Sequence, residues 1–361
     1  MADAGGGGDG MGGQLPMWRG LFDWSMRHSD GTLPTAPVDP EKMKWLQDAM
    51  THYTVDIPNK MKGIRGRLEE CADVLAPGKD LPLLLGAPPG HDGGASAAPA
   101  PPAPPAEGSA AAAPTPEEAE RLLDELLEIV ENLDFARDYN KMGGLPVLLR
   151  LAQATHAGVR GRALEVIGAS TQNLLPAQQE VLDAGGLDRA IAALGDADQG
   201  VVAKALLCVG SVVRGHPAAL VVFRRAGGLQ RLHKLTHASD ARVRRKAVGL
   251  VHHVLQAAGA EDGPLAVELG VHQTLAGLVE LTGDDEHDDW GLLRMALEAL
   301  FALVKVPEVR GAVLGLPGLK GRVEAVHDHI KGLDGEDREA AREEAVLCQL
   351  LLRAMERAAQ A

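Results

Sequence analysis

The chain has 361 residues, is 45% hydrophobic but only 3% aromatic, and carries a formal net charge of -14. That length suits two domains or one large one, and a core poor in aromatics must be built from Leu, Val and Ala, which favours thin helical layers. The acidic balance disfavours nucleic acid as the main partner, and no apolar run approaches the roughly eighteen residues of a membrane span.

Residues 1–16 are Gly-rich without an apolar stretch, so they read as a disordered tail and not as a signal peptide. Residues 17–85 carry helical pattern and three of the four tryptophans, Trp18, Trp24 and Trp45. Residues 86–116 are almost wholly Ala, Pro and Gly, a composition that cannot bury a core and makes a partly polyproline-II spacer. The expected organisation is a small N-terminal segment, helical or disordered, on a Pro/Ala-rich linker ahead of a solenoid over 117–361.

A helix start is well marked at Thr115-Pro116-Glu117-Glu118: a capping hydroxyl, proline at the first helical position, and acids at the positive helix end. The motif Asn132-Leu133-Asp134-Phe135-Ala136 follows, and then a pattern repeats. Gly143-Gly144-Leu145, Gly185-Gly186-Leu187 and Gly227-Gly228-Leu229 are spaced by 42 residues, with a degenerate copy at Leu269-Gly270-Val271. A second signal keeps the step through Arg162-Ala163-Leu164, Lys204-Ala205-Leu206 and Lys246-Ala247-Val248; its fourth copy, Met295-Ala296-Leu297, arrives seven residues late behind the acidic insertion 283–289. A helical period near 42 with a glycine pair per unit predicts an all-α armadillo/HEAT-like right-handed solenoid of about four repeats with capping helices. The glycine pair is expected to turn the chain between a short first helix and a longer second one.

Aligned on Ala163, Ala205, Ala247 and Ala296, the third helices show an apolar stripe one, four and eight positions on. Columns two, five, six and nine positions on should face out and line a concave groove; they contain Glu165, Gly168, Ala169, Gln172, Ser211, Arg214, His253, Gln256, Phe301 and Lys305. Small residues there would let a broad partner approach. Cys208 falls in a core column, and Cys71, Cys208 and Cys348 lie too far apart for a zinc box or a disulfide framework. Nine Lys/Arg against the single acid Asp240 lie between Arg214 and Lys246, either a solvated helix face or a patch for an acidic surface. The segment 331–361 reads as the C-terminal cap. No phosphate loop, nucleophile elbow or zinc-protease motif occurs, and the loop Asp196-x-Asp198-x-Gly200 lacks the full calcium pattern. A binding protein without cofactor or metal is therefore expected.

These residues resemble a known family. Glu131-Asn132-Leu133-Asp134-x-Ala136 and Ile167-Gly168-x-x-x-Gln172-Asn173, together with the leader Gly20-Leu21-Phe22-Asp23-Trp24-Ser25 and Trp45-Leu46, are similar to the armadillo-type nucleotide-exchange factors of heat-shock-70 chaperones, the Fes-type factors and heat-shock-70-binding proteins. The resemblance implies a non-enzymatic cochaperone. Its solenoid would grip the chaperone's nucleotide-binding domain and release ADP, while the N-terminal segment, through Phe22, Trp24 and Trp45, assists substrate release. Partner contacts are expected at Asn132, Asp134, Ala136, Glu165, Gln172, Asn173, Arg214, Lys246, His253, Gln256 and Lys305. A monomer in the cytosol, with the nucleus also open to it, and no membrane or nucleic-acid partner completes the expectation. The alternative is an armadillo adaptor or scaffold for another protein or an extended peptide. Against a peptide ladder, the third helices are expected to lack Trp and to offer only Asn173 as an amide.

Overall fold

A computed structural model describes residues 56–76, 113–281 and 289–360. The chain divides into compact units at 1–56 and 57–361, and apart from Asp56 the described residues belong to the second. They form seventeen helices, α1 to α17, with no strand among them.

The first, α1 (Ile57–Leu75), packs against α2 (Pro116–Val130), α3 (Leu133–Lys141) and α4 (Gly144–Leu151). Its stripe Met61, Leu68, Cys71 and Ala72 is fully buried. Arg67 makes a two-pronged bond to Glu118 at 2.7 and 2.9 Å, and Arg65 donates to the Met142 carbonyl at 2.6 Å. Arg150 bonds Asp73 at 2.6 Å, and the Thr155 N–H reaches the Leu75 carbonyl at 3.1 Å. The reading of 17–85 as one tethered unit therefore fails for residues 57–75, which are part of the solenoid; among the described residues, α2, α3 and α4 cover their apolar side chains. The helix start at α2 is as expected, with Thr115 capping Glu118 N–H at 3.2 Å and Pro116 at the first position.

Three repeats then follow as helix triplets. They are α3, α4 and α5 (Ala157–Thr171); α6 (Leu175–Asp183), α7 (Gly186–Ala193) and α8 (Gln199–Val213); and α9 (Pro217–Arg225), α10 (Gly228–Leu235) and α11 (Ala241–Glu268). The second helices, of 8 residues, are no longer than the first, of 9, contrary to the expected proportions. Each glycine of a pair has its own task. Gly143, Gly185 and Gly227 sit at φ 77°, 67° and 68°, a region L side chains avoid. Gly144, Gly186 and Gly228 leave space instead, because a Cβ there would lie 2.1 Å from Tyr139, 2.7 Å from Val181 and 2.2 Å from Phe223. In the fourth unit the register slips by one: Gly270 takes the positive φ, at 82°, and the pair five apart becomes Ala266 and Val271, with the bulk moved to the second helix.

α11 is 28 residues long and fuses the third helix of one repeat with the first of the next. The corresponding breaks in earlier repeats occur where Asn173 and Gly215 adopt φ 57° and 71°. The residue 42 further on is Ala257, for which that conformation is costly, so the helix runs on. Pro264 lies inside it, late in the helix. α12 (Val271–Gly277), α13 (Trp290–Val304), α14 (Pro307–Leu314), α15 (Leu319–Gly332), α16 (Gly335–Ala340) and α17 (Arg342–Gln360) complete the chain. Helices α2, α5, α8, α11, α13 and α17 pack successively in a row. Ala163, Ala205, Ala247 and Ala296 are all fully buried, as are their neighbours one and four positions on to within 3%. The cap is broader than the expected 331–361, since α15 also packs against α17.

Candidate functional site

The row of third helices presents a cross-tied face. Lys204 pairs with Glu165, Arg162 with Glu120 at 2.9 Å and Asp124 at 2.8 Å, and Arg294 with Glu298 at 3.2 Å. His252 Nε2 lies 3.1 Å from Glu298, and the Lys305 ammonium sits 4.6 Å over the Phe301 ring. At equivalent positions of the third helices Gln172, Arg214, Gln256 and Lys305 are all exposed, so this column does face out.

The small-residue columns behave differently. Gly168, Gly210, Ser211 and Ala302 are buried. A Cβ on Gly168 would come 3.2 Å from the Cys208 backbone, so this glycine lets α5 approach α8 and does not open the surface to a partner. The expectation that these columns line the groove is corrected for Gly168, Gly210, Ser211 and Ala302, while Ala169 stays half-buried. Ala136 is likewise wholly buried among the first helices and is no contact residue. Asn132 is exposed, but its Oδ1 accepts from Asp134 N–H at 2.9 Å and Phe135 N–H at 3.4 Å, which makes it the helix cap of α3. Asp134 is exposed in the first turn of α3, 3.4 Å from Arg137.

Glu165, Gln172 and Asn173 do come together. With Leu127, Leu133, Ala169 and Leu207 they line a cleft of ≈330 Å³ at the N-terminal part of the row. Leu133 is 47% exposed there. The apolar walls from Leu127 and Leu133 were missed by aligning the third helices, because Leu127 lies in α2 and Leu133 opens the first helix of its repeat; an apolar residue directly after a helix-capping Asn was the available signal.

The basic stretch is largely satisfied internally. Asp240 caps α11 by accepting from Arg242 and Val243 N–H, and its carboxylate also holds the Arg242 guanidinium at 3.2 Å. Arg244 donates to the Ala238 carbonyl at 3.2 Å, as Arg160 does to Ala154 at 2.9 Å one repeat pair earlier. Arg245 reaches Asp289 at 2.9 Å, and Arg224 holds the buried Asp262 at 2.9 Å. Lys246 Nζ lies 3.5 Å from the Ala203 carbonyl; desolvation there, followed by the nearby Lys204, pushes its pKa down. His253 is half-buried, and burial first, then Arg214 and His252, holds its pKa below the usual value.

Nothing on this face assembles reactive chemistry. Cys71, Cys208 and Cys348 are buried free thiols, the last two pushed up to about 12 by burial. Among the described residues no three His, Cys, Asp or Glu side chains group as metal ligands, and no helix is long and apolar enough to cross a membrane. Asp196 instead receives Arg160 through two bonds of 2.9 Å, and Asp198 caps α8. The third helices do contain one Trp, contrary to expectation: Trp290 opens α13, and Asn173 follows its helix instead of lying in it. Phe22, Trp24 and Trp45 lie outside the described residues, as does most of the acidic insertion; only its last residue, Asp289, is described, capping Leu292 N–H at 2.9 Å.

Residues 135–261, from within α3 to within α11, match the family model for the SIL1/FES1/HPBP1 C-terminal domain. Residues 135–261 are thus similar to the SIL1/FES1/HPBP1 C-terminal domain. The chain's relatives include Hsp70-binding protein 1 of Homo sapiens, 28% identical over 327 residues that span 88% of this chain and 79% of that protein. Hsp70-binding protein 1 of Rattus norvegicus matches at the same identity and coverage. Among solved structures, a designed armadillo repeat protein superposes with a TM-score of 0.56 at 19% identity, over 68% of this chain and 96% of that one. The armadillo-repeats-only protein of Plasmodium falciparum gives 0.51 at 13%, over 61% and 95%. These structural likenesses show the fold alone. The Fes-type resemblance read from the repeat and leader motifs is thus met independently by the family model and the relatives.

Proposed function

We propose that this chain is a non-enzymatic cochaperone that binds the nucleotide-binding domain of a cytosolic or nuclear Hsp70 as a monomer and promotes ADP release. The observation that carries the reading is the match to Hsp70-binding protein 1 across 327 residues, which includes all the third helices of the row. The geometry supports it: a rigid, cross-tied wall ending in Gln172, Arg214, Gln256 and Lys305, with an apolar cleft beside Gln172, suits a broad folded surface. A solenoid that binds an opened nucleotide domain better than a closed one weakens nucleotide by the factor with which nucleotide weakens it; a coupling of ~3 kcal/mol corresponds to roughly 150-fold. The N-terminal segment with Phe22, Trp24 and Trp45 would assist substrate release, aided by the effective concentration its tether provides.

Stopped-flow release of a fluorescent ADP from a cytosolic Hsp70 tests the proposal, with the full chain in excess. Acceleration is expected, with calorimetric affinity lowered by added ADP. Unchanged release together with nucleotide-independent affinity would leave only a binding adaptor. Removing residues 1–56 should preserve ADP release and slow liberation of a model peptide; equal peptide release would deny that segment its role.

A further inference from the structure

A second cleft, of ≈390 Å³, lies at the C-terminal end of the row, apart from the surface proposed for the chaperone. It is lined by Trp290, Leu333, Ala340 and Ala341, together with the acidic residues Asp337 and Glu344. Trp290 is half-buried, and its ring lies 6.0 Å from that of His329 with 32° between the planes. Asp337 is exposed. Glu344 is only 6% exposed, yet its Oε2 is fully buried and accepts no hydrogen bond.

A buried carboxylate oxygen without a donor is unfavourable, and a protein that keeps one ordinarily has a use for it. The neighbouring cations do not bond it. Arg294 spends its guanidinium on Glu298 at 3.2 Å and Glu343 at 2.5 Å, and Arg342 bonds Glu339 at 3.0 Å. The sequence around the cleft is strongly acidic: Asp334, Glu336, Asp337, Glu339, Glu343 and Glu344 stand against Arg338 and Arg342. An aromatic face, apolar walls and an unsatisfied carboxylate together call for a flat cation on an apolar stem. A guanidinium meets that description better than an ammonium, because it is planar, weakly hydrated, stacks on indole and donates paired N–H groups to carboxylates. The cleft is at the small end of the range that holds ligands, about 300–1,000 Å³, which fits one side chain and not a folded element.

We infer that this cleft is a second binding site that takes an arginine side chain of a partner polypeptide, stacked on Trp290 and held by Glu344. Asp337 at the surface draws the cation in. The site lies outside residues 135–261 and does not depend on the chaperone reading.

The test uses the isotopically labelled full chain, with the Trp290 indole N–H signal assigned through Trp290→Phe. A blocked Gly-Arg-Gly peptide should shift that signal saturably, the Gly-Lys-Gly twin more weakly, and the neutral citrulline twin not at all. Glu344→Gln should weaken arginine binding about tenfold, the value of one charged hydrogen bond. It should leave ADP release unchanged. Asp337→Asn, on an exposed residue that cannot endanger folding, should weaken binding by a smaller factor. Binding of the citrulline peptide equal to that of arginine, or an unchanged affinity in both carboxylate variants, would overturn the assignment.

Discussion

The two ends of the solenoid are closed by helices of opposite provenance. At the C-terminal end the closing helix is nearly the next one in the chain: α17 sets Cys348, Leu351 and Met355 into the core beside α13 and α15. At the N-terminal end it is α1, which stands forty residues ahead of α2 and is fastened by Arg65, Arg67 and Asp73 as well as by Met61 and Leu68. The contrast shows that closeness in sequence is dispensable for a cap. Loop closure costs only about 0.6 kcal/mol more for each doubling of length, which a few buried side chains offset. What the remote helix needs instead is specific polar fastening, because nothing in the chain fixes its register.

The sharpest way to break this comparison is Leu68→Ala, set beside Leu351→Ala at the other end. Both side chains are fully buried, and each truncation should lower stability by ~2–5 kcal/mol in denaturant titrations of the full chain. An unchanged midpoint for Leu68→Ala alone would mean that α1 merely adheres. In the same vein, removal of residues 1–112 should cost far more stability than removal of 1–56.

A second prediction concerns the repeats between the caps. Gly228→Ala places a Cβ 2.2 Å from the Phe223 ring and should cost ~1–3 kcal/mol. Phe223→Val, which copies the Val181 and Gly186 pairing, should recover part of that loss in a double-mutant cycle. Additivity of the two changes would show that the glycine serves only the turn.

Smaller effects belong to the face of the third helices. Because burial lowers the His253 pKa, the folded chain binds fewer protons there than the unfolded chain between the two pKa values. Stability from this group is therefore complete above about pH 6.5, the unfolded value, and declines as pH falls through that window. His253→Gln should flatten that part of the pH-stability curve; an identical slope in the variant would assign it to other histidines. The smallest stability change is expected for Lys246→Ala, within about 0.5 kcal/mol, since its only polar contact is a 3.5 Å approach to Ala203. The effect of this variant on the proposed ADP release would then report on the wall itself, as Ala136→Arg cannot, that alanine being core.

Legibility followed periodicity. Ala163, Leu164 and Ile167 and their copies are buried as the 42-residue step required, and Cys208 went with them. The candidate face was read less well. Gln172, Arg214, Gln256 and Lys305 lie where helical phase put them, but Gly168 and Ser211 turned inward because a third helix in a row has neighbours on two sides. Phase within one helix gives the direction of a side chain and is silent on what stands there.

By itself the sequence determined the helical repeat, the turns and the buried stripe, since these follow from interactions among residues near in the chain: positive φ at Gly143, Gly185 and Gly227, capping at Thr115, and 3.6-residue phase. Only the tertiary structure decided that α1 closes the row, that Gly270 shifts the fourth repeat by one, that the basic stretch is spent on Asp240, Asp262, Asp289 and carbonyls, and that Glu344 is buried with an open acceptor beside Trp290. Those outcomes depend on which distant groups meet in the folded chain, and a local pattern carries no record of a partner a hundred residues away.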